Sequence, residues 1–442
     1  MNKIAEIEAG GKQLPGKELE EGLREFLRPV TAQLPEKRLR EVVEIAVQGI
    51  VASGSPVITA IARGVEQAAG AAWAMARRVY RLVWSERISH RDLLKGLYGI
   101  AQERVAAYGV ERLVVAIDPV NFEKPYTAEL EGVSTVMKST PPGPNGEKRL
   151  TSGYPAITAT VVNLPEPVVT YANWFSYTVD FVSQNREIYR AIRITRALFP
   201  QHELCFIGDA GLDDQKIFRW IEGSRAQFVI RVGHHDRRVE VYNERLDRWE
   251  SEKLADLAAS AAWVCEIQAS FTHARRTRTV TVKLAWFMIR LAPTDPPLWV
   301  LVIHDPDRER EIALLTNISI HSSLDARSVY TTWRHRPQVE HTYRFDQEDG
   351  LHIEDIQVRT LERMRRVFVL VLLAALFVLF IDKTWPEPAV TWLRLLGGKL
   401  DRASDLDGPY ILWNGIKAVF ISVTTLSFAR SHPFPRGSPT YG

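Results

Sequence analysis

Two short apolar runs, each closing on an aspartate, set the terms for this chain. Leu113–Ile117 is unbroken and rich in β-branched residues, and Asp118 and Pro119 follow it. Leu204–Ile207 has the same shape and leads through Gly208 to Asp209, then Ala210 and Gly211. Such runs suit strands buried on both faces. The first is expected to end at Asp118, because Pro119 cannot donate to a ladder. If the two strands are neighbours, both carboxylates emerge side by side at one end of a sheet. Carboxylates held close repel each other unless a cation lies between them, and hard oxygen ligands favour Mg²⁺ or Mn²⁺. The plainer alternative is that each aspartate caps the turn after its strand. A third acid, Glu340, adds weight to the shared cation.

The 442 residues are enough for two or three domains and a large core. Net charge is only +3, so a nucleic-acid surface has to come from local clustering. The two cysteines, Cys205 and Cys265, form no CxxC or Cys/His cluster, which argues against a disulfide framework or a zinc site. Met1–Leu19 is polar with no apolar signal segment, so a cytoplasmic location is expected.

Lys17–Tyr108 is patterned as helix, with Leu39, Val42, Val43, Ile45, Ala46 and Ile50 approximating one stripe. Ser53-Gly54-Ser55-Pro56 breaks it. Ser55 can cap the next helix and Pro56 can take its first position. That helix runs to about Gly64, and another spans about Ala71 to Trp84 with Arg77, Arg78 and Arg81 on it. The pair is compatible with helix-turn-helix docking on DNA or with a helical bundle whose basic face is solvated. Beyond Asp118, the Pro- and Gly-rich stretch within 138–152 reads as a loop or flap. Tyr154–Val162 and Val168–Tyr177 read as strands, Ser183–Leu198 as a helix, Asp214–Glu222 as a helix and Gln227–Val232 as a strand. Three strands, helix, strand, helix, strand is the ribonuclease-H-like order, in which the first and fourth strands lie together.

From Gly233 to about Leu314 the pattern turns to strands: Trp263–Phe271, Thr277–Ile289, Leu298–Ile303 and Ile312–Leu315. Arg275, Arg276, Arg278 and Lys283 make this region locally basic, which suits a solvated strand face unless nucleic acid lies on it. Trp286 and Trp299 are better read as core than as stacking residues. His234-His235 reads as a loop pair outside the carboxylate cluster. Helix is expected to resume over Tyr330–Gly350, placing Glu340, Arg344 and Gln347 on one face. Val367–Ile381 is wholly apolar but shorter than a bilayer span, so a core helix packed on the sheet is expected and not a membrane anchor. Ser431–Gly442 reads as a loose tail.

Several of these pieces together resemble the IS4-type DDE transposases of bacterial insertion sequences, relatives of the Tn5 transposase. They are Ile207-Gly208-Asp209-Ala210-Gly211 with Phe228-Val229-Ile230-Arg231 downstream, Ala313-Leu314-Leu315-Thr316-Asn317, Val329-Tyr330, Arg336-Pro337-Gln338-Val339-Glu340 with Phe345, and Gly350-Leu351 with Gln357-Val358-Arg359-Thr360. The resemblance spans about Glu36 to Asp382. It implies that Asp118, Asp209 and Glu340 are the DDE ligands of Mg²⁺ or Mn²⁺, with two ions. The family's signature around its Glu is Tyr, Arg, Glu and Lys. Here its positions hold Trp333, Arg336, Glu340 and Gln347, with Arg344 one turn before Gln347 on the same face. Those flanking positions and Arg231 would contact DNA.

The implied fold is α/β. An N-terminal α-helical DNA-binding domain (1–108) precedes a ribonuclease-H-like core with a mixed five-stranded sheet (109–232 and 319–385). A β-rich insertion (233–318) interrupts that core, and a C-terminal helical region and tail (386–442) follow it. The implied activity is cutting and joining of double-stranded DNA at terminal inverted repeats and target sites, by a homodimer assembled on DNA, with no membrane. A nuclease that cuts without joining and a catalytically inactive DNA-binding descendant are the alternatives.

Overall fold

The structure is a computed structural model that describes residues 15–65, 71–125, 129–138, 149–243, 246–273, 276–306, 311–337, 351–398 and 408–431. The chain divides into two compact units. One comprises residues 101–128 and 132–342, the other residues 1–100, 129–131 and 343–442.

The first unit is mixed α/β and carries a twelve-stranded mixed sheet. Its strands are β1 (Arg112–Glu123), β2 (Ser134–Met137), β3 (Leu150–Val161), β4 (Val168–Trp174), β5 (Glu203–Gly208) and β6 (Gln227–Arg231), then β7 (Arg238–Asn243), β8 (Arg248–Lys253), β9 (Cys265–His273), β10 (Arg276–Arg290), β11 (Leu298–His304) and β12 (Ile312–Thr316). They lie in the order β2-β3-β1-β5-β6-β12-β11-β10-β7-β8, with β4 beside β3 and β9 beside β10. β1 therefore runs antiparallel to β3 and parallel to β5, with Val114 opposite Cys205. Sequence pattern pointed to every strand of this set except β2 and the β7–β8 hairpin. That hairpin is mostly polar and offers no clean alternation of buried and exposed residues.

Leu113, Val115, Ile117, Phe206, Phe228 and Ile230 are buried in one core with Ile188 and Ile192 of the helix Gln184–Leu198 and Phe218 of the helix Gln215–Gly223. The strands read as continuous apolar runs because they are covered on both faces.

β1 does not stop at Asp118. It continues through Pro119 to Glu123, paired with β3 throughout. The parity of the ladder explains why proline is tolerated. Val114 accepts from Val162 N at 2.9 Å and Lys124 donates to Ser152 O at 2.7 Å, so even-numbered residues turn their backbone towards β3. Pro119 is odd and faces the β5 side, where pairing has already ended at Ala116.

The second unit is helical. It contains α1 (Gly16–Ala32), α2 (Lys37–Ser53), α3 (Ile58–Arg63), α4 (Ala71–Trp84), most of α5 (His90–Tyr108), α10 (Leu361–Thr384), α11 (Glu387–Leu396) and α12 (Pro409–Ser431). In the sheet unit, α6 is Gln184–Leu198, α7 Gln215–Gly223, α8 Leu254–Ala259 and α9 Ser323–Trp333. Gly54 ends α2 in the left-handed region at φ 71°. α3 begins two residues later than expected, with Ser55 Oγ accepting from Val57 N at 3.2 Å.

Long and apolar enough to cross a membrane by composition alone, α10 is almost wholly buried among α1, α2, α4 and α12. It was expected to pack on the sheet, and it packs among helices. A helix apolar on every side needs neighbours on every side, and one sheet face supplies only half of them.

Candidate active site

Asp118 lies mid-strand in β1, opposite Thr158 of β3. Asp209 follows the last residue of β5 and opens a short 3₁₀ turn, its Oδ1 accepting from Gly211 N at 2.9 Å. It thus does cap the turn, and Oδ2 is left to point elsewhere. Arg336 meets both acids: one guanidinium nitrogen is 3.3 Å from Asp118 Oδ1 and 3.5 Å from Asp209 Oδ2. Asp118 is the more enclosed, at 16% side-chain exposure against 40% for Asp209. Among the described residues no third His, Cys, Asp or Glu joins them as a metal cluster.

Local chemistry puts these groups where they are. At the start of β1, Asn163 extends the β3-side edge of the backbone, with Oδ1 accepting from Val114 N at 2.8 Å and Nδ2 donating to Arg112 O at 2.9 Å. At the start of β6, Asn317 does the same, to Phe228 N at 2.9 Å and Ala226 O at 3.1 Å, while Thr316 Oγ1 donates to Phe228 O at 2.5 Å. The Thr316-Asn317 pair at the end of β12 is therefore a clamp on the strand beside β5. Asp213 ties the turn after β5 to the turn after β6. Its Oδ2 accepts from Gly233 N at 2.8 Å and His234 N at 2.9 Å, and Arg237 approaches Oδ1 to 2.8 Å. Oδ1 itself makes no hydrogen bond, and Arg237 Nη2 donates instead to Asp213 O at 3.5 Å, so its contact with Oδ1 is one of charge. Asn163 and Asp213 were not singled out in the sequence, and Asn317 stood there only as the last residue of a resemblance motif. Only their places just past apolar runs could have flagged them.

Arg336 owes its place to α9. Ser322 Oγ accepts from Asp325 N at 3.2 Å, and Asp325 Oδ2 in turn accepts from Ser322 Oγ and His321 N. Those bonds hold the Asp325 carboxyl below the usual range. Helix was expected to run unbroken from Tyr330 to Gly350, but α9 ends at Trp333. The chain then turns tightly, with His335 N on Thr332 O and Arg336 N on Trp333 O, before Pro337. A residue before proline is pushed out of helical backbone, which accounts for the interruption. Partial burial holds the His335 imidazole below its ordinary value.

The other candidate residues separate clearly. Arg231 is exposed at the end of β6 and Trp333 is partly buried at the end of α9. Glu340, Arg344 and Gln347 lie outside the described residues. His234 and His235 are exposed in the turn after β6. Within the helical unit, Arg77 and Arg81 are exposed, whereas Arg78 is 3.5 Å from Glu41 of α2.

Two carboxylates that share one guanidinium form an all-oxygen donor set, which fits a hard divalent cation. Arg336 already plays the cationic part between them.

Residues 176–377 match the family model described as a transposase DDE domain, a segment that includes Asp209 and Arg336 and begins after Asp118. Among solved structures, the piggyBac transposase synaptic complex with hairpin DNA, determined by cryo-EM, aligns with 94% of this chain and 82% of that chain. The identity is 7% and the TM-score 0.43. No curated protein matches the sequence.

Proposed function

We propose that the chain is a DNA transposase of the IS4 type, which cuts DNA at the ends of an insertion sequence and joins those ends to new DNA. The observation that carries this reading is the meeting of Asp118 and Asp209 on Arg336 at the end of a parallel strand pair, in a chain whose residues 176–377 match a transposase DDE domain. The strand order β4-β3-β1-β5-β6 supports a ribonuclease-H-like core, since it sets the first strand beside the fourth of that order.

Asp118, Asp209 and Glu340 would hold two Mg²⁺ or Mn²⁺ ions. When bound, the metal supplies activation of water, then of a DNA 3′-hydroxyl, and stabilises the leaving oxygen. The residues do the positioning. The bond from Gly211 N fixes the Asp209 carboxylate so that Oδ2 faces Arg336. Asp118 is held in place by the β3 ladder and by Asn163, which continues that same edge at the strand start. Arg336 neutralises the acids before substrate arrives, and its fork can turn to a phosphate when DNA lies across the strand ends. Arg231, Trp333, Arg344 and Gln347 would line that path. In the helical unit, Arg77, Arg78 and Arg81 would grip the end DNA, and the working form would be a homodimer assembled on it.

The test is a cleavage and joining assay on DNA carrying the element's terminal repeats, with Mg²⁺ or Mn²⁺. Glu340→Gln should abolish cleavage and leave binding to uncut DNA nearly intact, while Glu348→Gln and Glu354→Gln retain cleavage. Cutting without joining would make the protein a nuclease. Binding without cutting in either metal would make it an inactive descendant. Cleavage by Glu340→Gln at the wild-type rate would remove Glu340 from the metal set.

A further inference from the structure

The outward face of α4 is unusual for a soluble helix. Ala76, Val79, Leu82 and Val83 turn into the helical unit, so its Val and Leu residues are used up inside. Outside stand Trp73, 59% exposed, Arg77, Tyr80, Arg81 and Trp84, 39% exposed. Positions 73, 77, 80, 81 and 84 fall within about 100° of one another on a 3.6-residue helix, so they make a single stripe roughly 16 Å long. The rings form a row: Trp73 to Tyr80 is 6.4 Å and Tyr80 to Trp84 is 5.1 Å between centroids, each edge to face. Arg363, in the first turn of α10, lies over Trp84 at 4.5 Å.

The charges are as uneven as the burial. α4 contains no acid. Elsewhere in this unit arginines sit on carboxylates, as Arg24 does on Glu20 and Glu44 and Arg87 on Glu36. Arg77 and Arg81 have no ion-pair partner among the described residues. The stripe is thus three cations and three aromatic rings, with nothing anionic between them among the described residues.

We infer that this stripe binds single-stranded DNA, with unpaired bases stacking on Trp73, Tyr80 and Trp84 while Arg77, Arg81 and Arg363 hold the phosphates. This rests on the reading that the chain handles DNA ends, and it adds which form of DNA this face takes. A duplex keeps its base faces stacked inside and shows a protein only edges and phosphates. Exposed rings therefore gain nothing from a duplex, whereas a single strand offers a π-face with every nucleotide. A membrane-surface helix keeps its cations on the face opposite its Trp, Phe and Leu, whereas here Arg77 and Arg81 stand among the rings and no Leu or Phe joins them.

The experiment measures fluorescence anisotropy of a labelled oligo-dT strand and of a labelled duplex of equal length, with the full chain at several salt concentrations. Trp73→Ala combined with Trp84→Ala should weaken single-strand binding about thirtyfold or more, with duplex affinity changed less than threefold. Phenylalanine at both positions should restore most of the loss. Arg77→Ala with Arg81→Ala should weaken single-strand binding and reduce the magnitude of its salt slope by about 1.4. All variants should melt with the wild type, because the altered side chains lie on the surface. Equal losses on single strand and duplex, or no loss on either, would overturn the inference. So would loss of vesicle binding or of self-association as the main effect of the Trp changes. A wild-type chain that binds no DNA of either form would overturn the transposase reading itself.

Discussion

Replacing Asp213 with alanine removes a buried carboxylate from between the turn after β5 and the turn after β6. The side chain is 0% exposed, and a single oxygen, Oδ2, takes both backbone donors, from Gly233 and His234. Hydrogen bonds to an ionised group contribute about 1.5–3 kcal/mol each, and stranding the partner of a buried charge costs about 3–5 kcal/mol. Arg237 keeps 16% side-chain exposure, so water recovers part of that penalty. The expected loss for Asp213→Ala is about 3–4 kcal/mol. Asp213→Asn is the informative companion. An amide oxygen in the place of Oδ2 can keep both backbone bonds, and only the charge facing Arg237 is lost. Because that contact is misaligned, the Asn variant should lose only about 1–2 kcal/mol. Urea unfolding followed by fluorescence reads both, with the slope against denaturant unchanged. A loss under about 1 kcal/mol for Ala, or equal losses for Ala and Asn, would show that this carboxylate does not hold the turns.

In the helical unit, partial burial raises the Glu362 carboxyl, but hydrogen bonds from the His90 ring and backbone, and the charges of His90 and Arg366, outweigh it and bring the pKa down from 4.5 to about 2. The stabilisation is therefore complete above pH 4.5 and lost as pH falls towards 2. The gap in urea midpoint between wild type and Glu362→Gln should shrink across that window, and a constant gap would refute it. Burial pushes the Cys205 thiol up to about 11, so at pH 8 a disulfide reagent should modify Cys265 in the native protein and Cys205 only after denaturation. Two equally fast thiols would contradict this. A Cβ on Gly415 would lie 1.9 Å from Leu393 O, so Gly415→Ala must part α11 from α12 at a cost of roughly 1–3 kcal/mol. A thermal midpoint equal to that of the wild type would show that the helices do not approach so closely.

Features decided by a residue's own type and spacing were legible in the sequence. Leu113–Ile117 and Leu204–Ile207 read as strands buried on both faces because nothing but a covered sheet accommodates them. Ile188, Ala191, Ile192 and Thr195 declared the inner face of α6. What depended on a neighbour's length or position was hidden. Pro119 can stay in β1 only because β5 has ended on the side it faces, and no local signal reports where a distant strand stops. The polar β7–β8 hairpin gets its partner from β10, fifty residues on, where Ile289 lies opposite Val241. At the candidate site the two aspartates could be found from the runs they close. The cation between them could not, because Arg336 arrives through a turn that the expected long helix did not contain. Glu340, the third acid, lies outside the described residues and stays a proposal.

The helical unit joins both ends of the chain, and this imposes a timetable on synthesis. Val43, Val47 and Ile50 of α2 end fully enclosed, and part of what encloses them is α10 and α12. The ribosome adds about 240 residues between the first and last segments of that unit, which at bacterial-to-eukaryotic rates takes on the order of 10–50 s. During that interval the sheet unit, nearly continuous in sequence, can fold in order of emergence, while α2 waits with its apolar stripe uncovered. Chaperones therefore have their longest opportunity at the N-terminal helices, and a message truncated between residues 343 and 409 would yield a chain with a finished sheet and an open, aggregation-prone helical half.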